Sequence, residues 1–300
     1  MFDYPAIYKE ADNISNKTQL NYLYVLLTFL GMLVVSSIIF TYFSNIYAMK
    51  LANAIISLII IAISFILYFY EFQGKWYNAR AVAESIKTIS WRYAVKAEPY
   101  DGTDEDSKRI LLKTINQIIK MNHDFKKCIE AEYSDQQSIP ESMINIRHLP
   151  LAERIIIYHK HRVLDQRDWY KNKSIYNKKR AKLFFTILII ISIFLSVLLF
   201  YSLKETDNNL YFSSAILLTL ISVVFSWIQI KKYDELKKSY ALASHEINFI
   251  ASMKEDFSKD SDFSAYVINA ENAFSREHTQ WIARKDCTFW SEMNTNCETL

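Results

Sequence analysis

The stretch Leu183-Phe-Phe-Thr-Ile-Leu-Ile-Ile-Ile-Ser-Ile-Phe-Leu-Ser-Val-Leu-Leu-Phe-Tyr-Ser-Leu203 contains no Asp, Glu, Lys or Arg. At about 1.5 Å of rise per residue, a helix of about 20 such residues covers the roughly 30 Å hydrocarbon core of a bilayer. Three further stretches share this property, from Tyr22 to Phe43, from Leu51 to Tyr70 and from Leu210 to Ile230. A buried helix of a large soluble core explains one such run; four runs in two close pairs read as membrane spans. Only short linkers, Ser44 to Lys50 and Lys204 to Asn209, join the members of each pair. Each pair is therefore expected to form a tight antiparallel hairpin.

Composition agrees. Half of the residues are hydrophobic (51%) and 15% aromatic, yet the mean hydropathy is −0.01, so apolar and charged residues must be segregated into blocks. Three glycines and four prolines leave little material for β-turns, which points to an all-α protein. Asp3, Glu10 and Asp12 at the start are unlike the basic stretch of a cleavable signal, so the first span is expected to be retained. Cys128, Cys287 and Cys297 lack metal or redox spacing and read as ordinary thiols in a reducing compartment. The net charge of +3 is too small and too mixed in sign for duplex nucleic-acid binding.

The 35 Lys and Arg residues are unevenly placed. Each hairpin linker holds one, Lys50 or Lys204, and nearly all the rest lie between the hairpins or after the last span. The positive-inside rule then places both termini and the middle region in the cytoplasm. Basic residues crowd the inner boundary at Lys178, Lys179, Arg180 and Lys182, and again at Lys231, Lys232, Lys237 and Lys238. Such clusters anchor topology against anionic lipid, and a specific lipid or nucleotide-phosphate site is the sharper alternative.

The polar regions carry helical seams. Tyr233, Leu236, Tyr240, Ala243, Ile247 and Ile250 alternate spacings of three and four, so the fourth span is expected to run unbroken into an amphipathic helix. Similar seams run through Trp76, Ala79, Ala83, Ile86, Ser90 and Tyr93, ending near Pro99-Tyr-Asp-Gly102. Others pass through Leu111, Ile115, Ile118, Asn122, Phe125 and Ile129, and through Phe263, Val267, Ala270 and Phe274. The expected architecture is four transmembrane helices as two hairpins, with a cytoplasmic helical bundle. Both halves, residues 1–135 and 136–300, share one layout: polar helix, hairpin, emergent helix.

Short motifs around the spans resemble the SLATT family. Trp76-Tyr-Asn-Ala-Arg-Ala-Val-Ala-Glu-Ser-Ile-Lys87, followed by Ser90-Trp-Arg-Tyr93, is similar to the stretch after the membrane hairpin of SLATT domains. Tyr8-Lys-Glu-Ala-Asp12 with Ser15 and Gln19 resembles the first subtype. Arg162-Val-Leu-Asp-Gln-Arg-Asp-Trp-Tyr170 and Glu277-His-Thr-Gln-Trp281 resemble the second. The resemblance covers nearly the whole chain as a tandem pair. It marks Trp76, Arg80, Glu84, Trp91, Trp169, Tyr170 and Trp281 as family-motif or interface residues. It implies a bacterial inner-membrane, pore-forming effector of antiphage or conflict systems, gated by a nucleotide or oligonucleotide signal or by a nucleotidyltransferase-linked partner.

No catalytic constellation is visible: there is no Gly-rich loop, metal cluster or nucleophile with its base, so neither enzyme activity nor a cofactor is expected. His159 and His161 fall on different faces of a helix, unlike zinc ligands. The spans hold no ionisable residue, which argues against ion-coupled transport. They do hold Asn53, Ser57 and Ser64 within about 40° of one another on the second span, and a comparable stripe of Thr219, Ser222 and Ser226 on the fourth. Several copies around an axis could line a channel with these six residues, so a homo-oligomer in the lipid bilayer is expected. The competing reading is that they satisfy their own backbone or hold neighbouring helices. Likewise Trp169 and Tyr170 suit packing or the interfacial belt, and Arg80 with Glu84 suits an intrahelical pair.

Overall fold

The computed structural model describes residues 2–130, 133, 135–203, 208–253 and 257–285, with only the backbone of 208–212 and 275–285. Among the described residues there is no β-strand. In chain order the helices are α1 (Ala6–Tyr42), α2 (Tyr47–Phe69), α3 (Phe72–Ala94), α4 (Asp104–Met121), α5 (His123–Lys126), α6 (Glu141–Arg147) and α7 (Leu151–Tyr158). A π-helical segment (His159–Leu164) leads into α8 (Asp165–Ser202), followed by α9 (Asn208–Lys231), α10 (Tyr233–Ser252) and α11 (Asp260–Lys285). The chain forms two compact units. One comprises Met1–Thr18, Gln73–Asn172 and Ser239–Leu300; the other comprises Gln19–Phe72 and Lys173–Lys238.

The second unit contains the apolar stretches. Four helical stretches are long and apolar enough to cross a membrane, and each overlaps one of the four expected spans over most of its length. Their surfaces are inverted relative to a water-soluble helix. Leu58, Phe40, Tyr68 and Phe200 are 66%, 69%, 76% and 74% exposed, while few side chains here, Leu26, Leu30, Ile63 and Leu195 among them, are buried. Exposed apolar area on this scale is unfavourable in water and matches hydrocarbon. The first hairpin turns at Phe43–Ile46, where the Ile46 amide donates to the Phe43 carbonyl at 3.1 Å.

The fourth span does not run unbroken into the following helix. α9 ends at Lys231 and α10 starts at Tyr233, with Lys232 between them at φ 47°. Glu71, between α2 and α3, adopts φ 51°. Each half therefore breaks its chain just after the second span of its hairpin. The break was not legible because neither position is a glycine or asparagine, the residues that normally mark a left-handed backbone.

The first unit is a bundle with ordinary burial. The α3 seam is inside, with Ala79, Ala83, Ile86 and Ser90 fully buried. Leu111 and Ile115 of α4 join Tyr93, Tyr100 and Met143 in one core cluster; Phe263, Val267, Ala270 and Phe274 of α11 join Trp91, Tyr158, Tyr170 and Ile247 in another. Ile129, placed on the α4 seam, is 37% exposed. It lies beyond α5, where the helical periodicity has already ended. α4 is capped by Thr103, whose hydroxyl accepts from the Asp106 amide at 3.2 Å, and Asp104, Glu105 and Asp106 occupy its first turn. Both features favour a helix N-terminus.

Two buried arginines fix the loop after α3. Arg147 donates to the carbonyls of Tyr93, Tyr100 and Gly102 at 3.0, 2.7 and 3.0 Å, to the Ser107 hydroxyl at 2.8 Å and to Asp104 at 2.7 Å. Arg154 donates to the Val95 carbonyl at 2.7 Å and to Asp260 at 2.5 Å. A guanidinium supplies the several donors that irregular carbonyls need when water is excluded.

Candidate functional site

In the membrane-type unit, the six polar span residues separate into two kinds. Asn53 and Thr219 reach neighbouring helices: the Ser36 hydroxyl donates to Asn53 Oδ1 at 2.7 Å, and the Thr219 hydroxyl, which donates to the Ala215 carbonyl of its own helix at 2.9 Å, also pairs with the Ser37 hydroxyl at 3.2 Å. Consecutive serines on α1 thus tie it to α2 and to α9. Tyr42 and Ser213 add a third link at 2.9 Å. By contrast, Ser57, Ser64 and Ser222 donate to the carbonyls of Ala54, Ile60 and Leu218 in their own helices, at 2.7, 2.8 and 2.9 Å. These three are exposed at the unit's surface, and Ser226 is half-buried. The stripes read from helical periodicity therefore hold both helix-linking groups and groups that face outward.

The family-motif residues lie largely in the bundle. Trp91 is 1% exposed, stacks on Phe2 at 3.8 Å between ring centroids and donates from its indole to the Tyr4 hydroxyl at 2.9 Å. Arg80 bridges Asp12 at 3.2 Å and Glu84 at 2.6 Å, tying α3 to the start of α1. Trp169 packs edge-on against Tyr170 and near Tyr240, and Tyr170 is buried. Of the pair, Tyr170 is packed inside and Trp169 is 38% exposed. Trp76 stacks on Tyr77 at 4.5 Å. The side chain of Trp281, together with Glu277 and His278, lies outside the described residues.

At the centre of the bundle is a polar cluster that the sequence reading did not assemble. The guanidinium of Arg162, on the π-helical segment, meets the carboxylate of Glu271 on α11 through two hydrogen bonds of 2.8 and 2.6 Å. Both side chains are essentially inaccessible, at 2% and 0% exposure. Tyr158 donates to the same carboxylate at 3.0 Å and Thr88 of α3 at 2.9 Å, while Arg162 also reaches Gln166 at 3.3 Å and lies over the Phe274 ring. Burial disfavours the Arg162 charge, but Glu271 together with Tyr4 and Tyr158 outweighs it and the guanidinium pKa is raised. Burial, then Glu271, push the Tyr158 phenol well above its ordinary value. Burial likewise raises Tyr4 to about 12. Lys87 shifts the other way: burial lowers its pKa against the attraction of Glu84, with the Arg162 and Arg80 charges adding to the lowering.

One signal for this cluster existed. Glu271 falls four residues after Val267 and three before Phe274, so the α11 seam carries a carboxylate on its apolar face. An acid at such a position needs a buried cation, and Arg162 was already noted within a motif.

Four charge-free spans in two hairpins, with a helical bundle made from the polar segments, define a helical membrane protein built as a tandem of two-span units. Family comparison agrees. Residues 5–155 match SMODS and SLOG-associating 2TM effector domain 3, and residues 158–281 match SMODS and SLOG-associating 2TM effector domain 1. The chain belongs to the SLATT family, as a tandem of two such domains, and SLATT domains are membrane effector domains associated with conflict systems. The matching subtypes are the third and the first, where the motifs had read as first and second. No curated protein and no solved structure matches the chain.

Proposed function

We propose that this protein is a non-enzymatic, pore-forming effector of a bacterial antiphage or conflict system. It acts in the inner membrane as a homo-oligomer with both termini cytoplasmic, and a nucleotide-type signal or a partner protein gates it. The observation that carries this reading is the tandem of two-span effector domains on four spans free of charge. Each two-span unit, residues 1–135 and 136–300, contributes one hairpin.

Ser57, Ser64 and Ser222 are the outward-facing hydroxyls available to line a pathway shared between copies. Their donors are already satisfied within the helix, so the oxygens can present lone pairs without a buried-polar penalty. The Arg162–Glu271 cluster joins α3, the π-helical segment and α11 and gives the bundle a rigid centre on which a signal can act.

A second reading is a non-conducting scaffold that recruits a sensor or enzyme through the bundle. The bonds of Asn53 and Thr219 to α1 favour it, because they spend two candidate pore residues on holding helices together. Growth of cells expressing the chain with its activating signal separates the readings. In a pore, Ser57→Leu with Ser222→Leu removes toxicity at unchanged protein level. In a scaffold, the double variant stays fully active.

A further inference from the structure

α10 meets the rest of the bundle on two sides and is open on the third. Ile247 is buried, and Tyr240, Ala243 and Ile250 pack with it into the core that holds Phe263 and Val267 of α11. On a second side, the Ser244 hydroxyl donates to the Arg167 carbonyl of α8, and the ring of His159 in the π-helical segment meets the Ala251 carbonyl, both at 3.3 Å. On the third side Leu242, Phe249 and Met253 are 62%, 66% and 65% exposed. At about 100° per residue they fall within about 40° of one another, so they form one apolar stripe. All three belong to the bundle unit rather than the membrane-type unit, and hydrocarbon does not account for them.

The two edges of the stripe differ in charge. His245 borders it on one edge and Glu246 on the other, about 100° apart with the stripe between them. Both are exposed, and neither has a side-chain partner among the described residues. Being adjacent in the chain, they stand within about 1.5 Å of the same height on the helix. Symmetry then selects the orientation of a second α10. Rotation about an axis along the helix sets the Glu246 edge of one copy against the His245 edge of the next, at one level. A two-fold axis across the helix sets each edge against its own kind, carboxylate against carboxylate. Only the first arrangement is complementary.

We propose that the Leu242–Phe249–Met253 stripe of α10 docks in parallel against α10 of a second copy of this chain. The proposal rests on the homo-oligomer reading above and gives that oligomer an interface. The three side chains offer on the order of 350 Å² per copy, under half of the roughly 800 Å² per partner of a standard interface. A stripe of that size is too small to recruit a soluble partner by itself. It suffices to set register and orientation for chains that a shared bilayer already concentrates.

Förster transfer between donor- and acceptor-labelled full chains, diluted stepwise with lipid in liposomes, measures the association. Leu242→Ser with Phe249→Ser should raise the protein-to-lipid ratio at half-association at least about tenfold, with an unchanged melting temperature because both sites are exposed. Met121→Ser, at an 83% exposed apolar position on α4, should shift it less than about twofold. Glu246→Lys should weaken association about threefold or more, and adding His245→Glu, which exchanges the two edges, should restore it to within about twofold. Association untouched by the stripe variants, as when lipid or another protein covers the stripe, would overturn the surface and leave the oligomer standing. An exchange that fails to restore association would overturn the parallel arrangement. Wild-type chains that never associate would overturn both the surface and the oligomer on which it rests.

Discussion

Arg162 and Glu271 form a two-pronged ion pair, at 2.8 and 2.6 Å, at the centre of the helical bundle, with Tyr158 and Thr88 completing the carboxylate's hydrogen bonds. Removing one member leaves the other charged and buried, which costs about 3–5 kcal/mol. Glu271→Leu and Arg162→Met should each destabilise the purified protein by that amount. The double variant Arg162→Met with Glu271→Leu should recover at least half of it. Chemical denaturation of all four proteins, as a double-mutant cycle, measures the coupling, and strictly additive losses would contradict the account.

The helix-linking role of Asn53 and Thr219 predicts a different size of effect. Asn53→Ala and Thr219→Val each remove an interhelical hydrogen bond, worth about 0.6 kcal/mol on average in membrane proteins. Ser57→Ala removes only a bond to its own helix and should change stability by less than about 0.3 kcal/mol. Unfolding in mixed micelles separates the two classes; a larger loss in Ser57→Ala would contradict the assignment.

Most of the fold was legible in these residues because the bilayer imposes a one-dimensional rule. Whether a stretch such as Leu183–Leu203 spans depends on length and on the absence of charge, and both are read directly. The seams on α3 and α11 were legible for a similar reason, since spacings of three and four place Ala79, Ala83 and Ile86 on one face. Three-dimensional partners were not legible. Nothing in a local pattern says that Asn53 meets Ser36, or that Arg162 meets Glu271 across the bundle. The break at Lys232 escaped because tertiary context holds a residue that has no intrinsic preference for that backbone.

That backbone yields a test of its own. Lys232 holds φ 47° at an energetic disadvantage of about 1 kcal/mol, which glycine does not share. Lys232→Gly should therefore raise thermal stability by about 0.5–1 kcal/mol, whereas Lys232→Ala should give no gain. A destabilised glycine variant would show that the left-handed turn is not what the chain adopts there.

Alkaline pH probes the buried phenols. Tyr4 rises from 10.0 to about 12 through burial, and Tyr158 is raised as well. A group whose folded pKa exceeds its unfolded value contributes stability fully present below the unfolded pKa and lost as pH rises through the folded one. Stability should hold up to about pH 10 and fall between about pH 10 and 12. Tyr4→Phe should flatten that decline. Denaturation midpoints across this range check it, and an identical slope in the variant would contradict the burial of Tyr4.

Conductance across a planar bilayer is the most direct test of the effector as a pore. Purified oligomer should carry discrete current steps once its activating signal is present, and Ser57→Leu with Ser222→Leu should abolish them while leaving the oligomer intact. A pure, intact oligomer that stays electrically silent with every nucleotide signal and partner supplied would contradict the pore and leave the scaffold in its place.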